Sequence, residues 1–329
     1  MRKRIILILA IALATAGAQA QTRKTLDIYV VDVEGGNATL FVAPSGQSVL
    51  IDTGNGGPAA QRDGDRILAA TKDAGLTQID HLITTHWHGD HFGAMETVAA
   101  KIPIRHFIDH GGTIEAPAAG NAFVREGYPA LYGKATHTVA KPGDRIAING
   151  IDWRIVASAG QHITSALPGA GKPNPYCADY KPGMPDPTEN AQSVGSIVTF
   201  GSFRVAHLGD LTWNKEFDLM CPTNRIGTVD LWVVSHHGQA ISNAEVLAHA
   251  LRSRVAIINN GTRKGGQPDA IVRAHQLEFL VPCEIAEVSD AEFAERDDAA
   301  DRLRVLRRIR HARFVVGARR VRFARARQR

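Results

Sequence analysis

The stretch "ITTHWHGDHFGA", residues 83–94, sets three histidines and an aspartate within six positions directly after an apolar run. The run "IDHLITT" at 79–85 reads as a short buried strand, so His86 and His88, two apart at its end, project to the same side. Neutral imidazole is the commonest ligand for divalent metals. Asp90 and His91 follow where the chain turns into a helix, offering one hard oxygen and one nitrogen to a second position nearby. Gly89 supplies the freedom for a tight backbone turn. Other residues of the same kind close other short apolar strands: Asp52 in "LIDTG", Asp210 in "HLGDL", and His236 and His237 in "VVSHHG". Each fragment alone is weak, but the ordered set gathers at one edge of a sheet core and reads as a metal site.

Working outward, "LDIYVVDV" at 26–33, "ATLFV" at 38–42 and "SVLID" at 48–52 carry β-branched and aromatic residues around a turn at 43–47, the pattern of an antiparallel meander. Residues 58–74 fit a helix stopped by Gly75, and "HFGAMETVAA" from 91 begins another. Between about 111 and 190 the chain is rich in glycine, proline and alanine, as in long functional loops. Strand patterns return with "SVGSIVTF", "RVAHLGD", "VDLWVVSHHG" and "RVAIINNG", with a helix expected over 243–252. No internal repeat is evident.

The chain has 329 residues, 44% of them hydrophobic, which is ample for a buried core. The first twenty have a basic start, "MRKR", an apolar stretch, and a small-residue "AQA" at 18–20, the layout of a secretory signal cleaved after Ala20; an uncleaved anchor is the alternative. Residues 296–329 hold thirteen arginines, no lysine and three acids, a net of +10. Taking that and the +3 of Arg2, Lys3 and Arg4 from the whole chain's +5 leaves −8 on residues 21–295. An acidic body does not support a broad nucleic-acid surface. The Lys-free stretch from 268 to 329 is either a basic amphipathic segment or the product of a shifted reading frame, foreign to the fold. Cys177, Cys221 and Cys283 form no CxxC pair, which argues against a thiolate zinc site; whether Cys177 and Cys221 pair is open at this level.

The His86, His88, Asp90, His91 arrangement resembles the HxHxDH motif of the metallo-β-lactamase superfamily. The resemblance runs over roughly residues 25–265, and "VDVEGGNATLFVAPSGQSVLIDTG" at 31–54 with the later "GDL" and "SHHG" is similar to the branch of ComEC-type DNA-uptake proteins and phosphorylcholine esterases. It implies an α/β fold, an αββα sandwich with a dinuclear metal site at the sheet edge, in a domain spanning 21–267. His86 and His88 would hold the first metal, Asp90 and His91 the second, with Asp210 bridging. Of the last pair, His237 is expected as a second-metal ligand and His236 as a catalytic group near the substrate. The superfamily usually gives the first metal a third histidine, yet the matching region reads "TENAQSVGS", with Asn190 and Ser193 in it; His162, from an earlier loop, is the expected replacement. Asp52 is expected to orient ligands from behind.

Two divalent ions about 3.5–4 Å apart acidify a shared water and polarise a substrate oxygen. Asp90 is then placed to orient that water and hand a proton to the leaving group. The expectation is therefore a secreted or periplasmic metal-dependent hydrolase of a phosphoester or phosphodiester, carrying zinc, with manganese and iron as alternatives. Arg263 and Lys264 in the glycine-rich "NNGTRKGGQ" would clamp an anionic substrate, and His110 would line the pocket. Competing readings are hydrolysis of a β-lactam, lactone or other ester or amide, and a non-catalytic binding protein that keeps the fold. The expected partner is a small-molecule or phosphodiester substrate, with no integral membrane segment after cleavage of the signal.

Overall fold

The structure is a computed structural model; it describes residues 25–115, 122–261 and 264–268, together with the backbone of three strands at 279–282, 311–317 and 320–325. The signal sequence and Arg263 lie outside the described residues. Strands β1 (Leu26–Val31), β2 (Thr39–Val42) and β3 (Ser48–Ile51) form the expected meander, with antiparallel pairings Tyr29–Leu40 and Leu40–Leu50. Three parallel strands extend it: β4 (His81–Ile83), β5 (His106–Asp109) and β6 (Thr136–Val139). Helix α1 (Ala60–Asp73) makes the crossover from β3 to β4, and Gly75, at φ +68°, follows its end.

A second sheet is built around β8 (Ile151–Ser158), β11 (Gly195–Phe200), β12 (Phe203–His207), β14 (Leu231–Val233) and β15 (Val255–Ile258), with β7 (Arg145–Ile148) at one edge. β7 and β8 fall in the glycine-rich stretch where long loops were expected. Their hairpin closes through Asn149 and Gly150, the latter at φ +83°; an Asn-Gly pair between strands is a local hairpin signal that outweighs the regional composition. A two-residue strand, β9 (Gln161–His162), folds back on the end of β8. Of the Arg-rich segment, the described backbone places 279–282 beside β15, and 311–317 beside β1 with 320–325 beyond it.

Leu26, Ile28, Phe41, Ile51 and Ile83 from one sheet pack against Trp153, Ile155, Val198, Leu231 and Ile257 from the other. The outer face of the first sheet buries Tyr29, Leu40 and Leu50 under α1 and a short helix at Met95–Ala99, through Ile67, Ala70, Met95 and Val98. That of the second buries Ile197, Ala206 and Trp232 under helices Trp213–Met220 and Glu245–Leu251. The result is the expected αββα sandwich. Because both faces of each sheet are covered, β1 is buried at all six positions instead of alternating. No helix among the described residues is long and apolar enough to cross a membrane.

Cys177 and Cys221 form a disulfide, with Cα atoms 5.8 Å apart. It ties the 167–190 loop to the end of the helix Trp213–Met220, where the Asn174 amide also donates to the carbonyl oxygens of Met220 and Val246 at 3.2 and 2.8 Å.

Candidate metal centre

The ligand-type residues leave the strands at one rim of the sandwich. The 52–57 turn holds the HGDH turn at close range: Thr53 N–H donates to the His91 carbonyl at 2.6 Å, Gly56 N–H to Gly89 at 2.9 Å, and Gly93 N–H to Gly54 at 3.0 Å. Glycines are required at this crossing, since a Cβ on Gly93 would sit 1.9 Å from the Gly56 nitrogen. On the opposite sheet, Asp210 follows β12, and His236 and His237 follow β14 in consecutive left-handed conformations at φ +53° and +54°. Two adjacent non-glycine residues in that region are costly, and such strain concentrates at functional sites.

Asp90, His91, Asp210 and His237 bring four ligand atoms within 4.8 Å of one another. His91 Nε2 is 3.2 Å from Asp210 Oδ2 and 3.3 Å from Asp90 Oδ2, while His237 Nε2 lies 3.2 and 3.0 Å from the same two oxygens. Beside this group, His86 Nε2 and His88 Nδ1 face each other at 3.0 Å, and Asp210 Oδ2 is 3.9 Å from His86 Nε2. Asp210 Oδ2 thus stands between the two groups.

The other nitrogen of each ring is held by the protein. His91 Nδ1 donates to Asp52 Oδ2 at 2.7 Å, and His237 Nδ1 donates to the Asn259 carbonyl at 2.9 Å. His86 Nδ1 lies 3.1 Å from the Thr85 hydroxyl, His236 Nδ1 3.1 Å from that of Ser242, and His88 Nε2 3.0 Å from Glu115 Oε1. Fixing one nitrogen of an imidazole selects the tautomer and leaves the other free to bind a cation. The donor set, imidazole nitrogen plus carboxylate oxygen, fits a borderline divalent ion.

Electrostatics agree with that role. Burial pushes the Asp210 carboxyl upward, but His237, His91 and His236 around it hold it well below the usual carboxylate range. Asp90 is likewise lowered, burial being outweighed by His91 and His237. Burial lowers His91, yet Asp210, Asp90 and Asp52 together raise it well above the ordinary histidine value. A cluster that holds carboxylates ionised and draws positive charge onto its imidazoles is one a metal cation would satisfy. His86, by contrast, is driven well below its usual value by burial and by His91.

Asp52 sits on the Nδ1 side of His91. It accepts from the Thr85 N–H at 2.7 Å, the Thr85 hydroxyl at 2.8 Å and the Asn37 amide at 2.7 Å as well as from His91, and is itself left-handed at φ +60°. Asn37 also lies 3.1 Å from the buried His207 Nε2 and accepts from the Asn259 amide at 2.5 Å, joining the supports of His91 and His237 across the two sheets.

Two expectations are corrected. His162 does not reach the first-metal group: β9 pairs it with Ala157, among Arg225, Asp218 and Lys215. His110 does not line the pocket as a substrate group; it is buried and its Nε2 lies 2.8 Å from Glu189 Oε2. Glu189 in turn accepts from the Trp87 N–H at 3.1 Å and the Ile114 N–H at 2.6 Å, so this pair supports the HxH limb from below. Lys264 is at the rim, its ammonium on Asp90 Oδ2. Beside Asp90 and Lys264 opens a cleft of about 620 Å³, lined also by Asn55, Gly56, Phe92 and Phe123.

Fold and site fit a metal-dependent hydrolase, and the family model of the metallo-beta-lactamase superfamily matches residues 31–166, the HxHxDH motif included. Among curated relatives it is similar to Recombination protein 2 of Haemophilus influenzae, with 26% identity over 243 residues, 73% of this chain and 25% of the relative. It is also similar to Lactamase-like protein aptB of Emericella nidulans, with 34% identity over 83 residues, 22% of this chain and 26% of the relative. The chain thus spans about a quarter of the length of these relatives. Among solved structures, the metallo-beta-lactamase fold protein YhfI from Bacillus subtilis matches with a TM-score of 0.48 and 11% identity, covering 78% of this chain and 95% of that one.

Proposed function

We propose that the protein hydrolyses a phosphoester or phosphodiester outside the cytoplasm. The observation that carries this reading is the placement of Lys264: a cation at the mouth of the metal centre, resting on Asp90 and bordering the cleft, suits an anionic substrate better than a neutral lactam. The likeness to a recombination protein points the same way. For the compartment, the Cys177–Cys221 disulfide is the supporting feature, since such bonds persist in oxidising surroundings.

Bound divalent ions at Asp90, His91, Asp210 and His237, and beside His86 and His88, would supply Lewis-acid polarisation and a water of lowered pKa. Asp90 would orient the attacking water and pass its proton to the leaving oxygen. Burial and the nearby charges of His237 and Lys264 lower His236 to about 4, despite Asp210, so it is neutral at physiological pH. Its Nδ1 lies 3.1 Å from the Ser242 hydroxyl and its Nε2 3.6 Å from Asp210 Oδ2, so that Nε2 would face a substrate oxygen at the rim. Lys264 would transfer its contact from Asp90 to the incoming phosphoryl group.

The test is turnover of bis(p-nitrophenyl) phosphate by protein loaded with zinc or manganese, with nitrocefin and p-nitrophenyl acetate in parallel. Phosphodiester cleavage abolished by chelation is expected. Cleavage of the lactam or the carboxylic ester with none of the phosphodiester would overturn the proposal.

A further inference from the structure

Four protein groups surround the second metal position, but among the described residues His86, His88 and the shared Asp210 alone face the first. With His162 elsewhere, the segment hydrogen-bonded to the HxH limb, the turn Thr188–Ser193, is in position to offer a further donor. That turn is fastened to the limb at both ends, through Glu189 to the Trp87 N–H and through Val194 N–H to the Thr85 carbonyl at 2.8 Å.

Its side chains can be sorted by what they already do. Thr188 Oγ accepts from the Asn190 N–H. Both oxygens of Glu189 are committed, to the Trp87 and Ile114 N–H groups and to His110. Gln192 lies against Gly160, where an added Cβ would meet its Oε1 at 3.3 Å. Ser193 Oγ accepts from the Asp210 N–H at 3.1 Å and sits 3.4 Å from His86 Nδ1, the nitrogen that faces away from His88. Asn190 remains. It is only 7% exposed, and its side-chain oxygen has no hydrogen-bond partner among the described residues. A buried carbonyl oxygen without a donor costs free energy that a bound cation would recover.

We infer that Asn190 is the fourth protein ligand of the first metal position, its Oδ1 taking the place of the superfamily's third histidine. The inference rests on the metal-dependent reading and is independent of which bond is cleaved. An amide oxygen is a harder donor than imidazole, so this position is weighted toward harder divalent ions than a three-histidine site would be.

Titration of the metal-free full chain with Co2+, followed by visible absorption and by metal content after desalting, tests it without any substrate. The wild type is expected to take up two equivalents, and Asn190→Ala one, while Asn190→Asp regains the second and Asn190→His regains it with a shift in competition toward zinc. The melting temperature of each metal-free variant shows whether it folds, and if Asn190→Ala does not, Asn190→His decides, since unchanged metal competition in it would overturn the assignment. Two equivalents held as tightly by Asn190→Ala as by the wild type, or a single equivalent in the wild type, would overturn the assignment. Neither outcome bears on the phosphodiester assay, so the two proposals fail separately.

Discussion

His91 Nδ1 and Asp52 Oδ2 meet at 2.7 Å with both side chains fully buried, which makes a carboxylate–imidazole pair directed at the metal centre from a strand 39 residues earlier. Such a partner fixes the tautomer and raises the basicity of the nitrogen that binds the ion. Asp52→Asn is expected to weaken metal binding about 10- to 100-fold while leaving the fold in place. Competition with a chromophoric chelator measures this directly, and an unchanged affinity would remove Asp52 from the centre.

Lys264→Met should raise KM for a phosphodiester about tenfold, the effect of losing one charge-assisted hydrogen bond, with a smaller change in kcat. Steady-state kinetics at several salt concentrations is the check, because an electrostatic contact also weakens as salt rises. A neutral ester substrate should show no such increase.

Gly93→Ala tests the crossing of the two turns. The new methyl would meet the backbone at Gly56 and Gly89, where neither chain has room to retreat. Destabilisation of at least about 3 kcal/mol is expected, accompanied by loss of metal uptake. Urea unfolding reports the first and metal analysis the second.

Acid should act on Glu189. Burial raises its carboxyl, but the hydrogen bond and charge of His110 and the N–H groups of Ile114 and Trp87 bring it down from its ordinary 4.5 to about 2. A carboxyl lowered by folding contributes stability that is present above its unfolded value and is lost as pH falls from there through the folded value. Unfolding free energy should therefore decline between pH 4.5 and 2 more steeply in the wild type than in Glu189→Gln, as followed by tryptophan fluorescence.

Reduction of the Cys177–Cys221 bridge should cost about 3–4 kcal/mol, given the sequence separation of 44 between the two cysteines. A matched Cys177→Ser, Cys221→Ser variant should melt lower than the wild type without reductant and at the same temperature with it.

The residues that touch the centre were largely legible because their signals are local. His86, His88, Asp90 and His91 share six positions, and Asp210, His236 and His237 each end a recognisable strand. The supports were not legible, since Asn37, Thr85 and Asn259 reach Asp52 and His237 through contacts that topology alone creates. His162 and His110 misled for a related reason: residue type and loop position suggested a free imidazole, while hairpin register turned one away and Glu189 claimed the other. The β7–β8 hairpin was hidden by the composition around it, although Asn149–Gly150 was signal enough. A consecutive pair of left-handed histidines has no sequence signature beyond the "HHG" that contains it.

The two sheets are separate hydrogen-bonded units, and the donors around the centre are divided between them: His86, His88, Asp90 and His91 belong to the first, Asp210, His236 and His237 to the second. Ions held there would be rivets through a seam that otherwise closes by side-chain packing and a few polar contacts such as those of Asn37. Metal loading and the joining of the two halves then become a single equilibrium. A compartment short of metal would loosen the molecule along the same line on which it stops working.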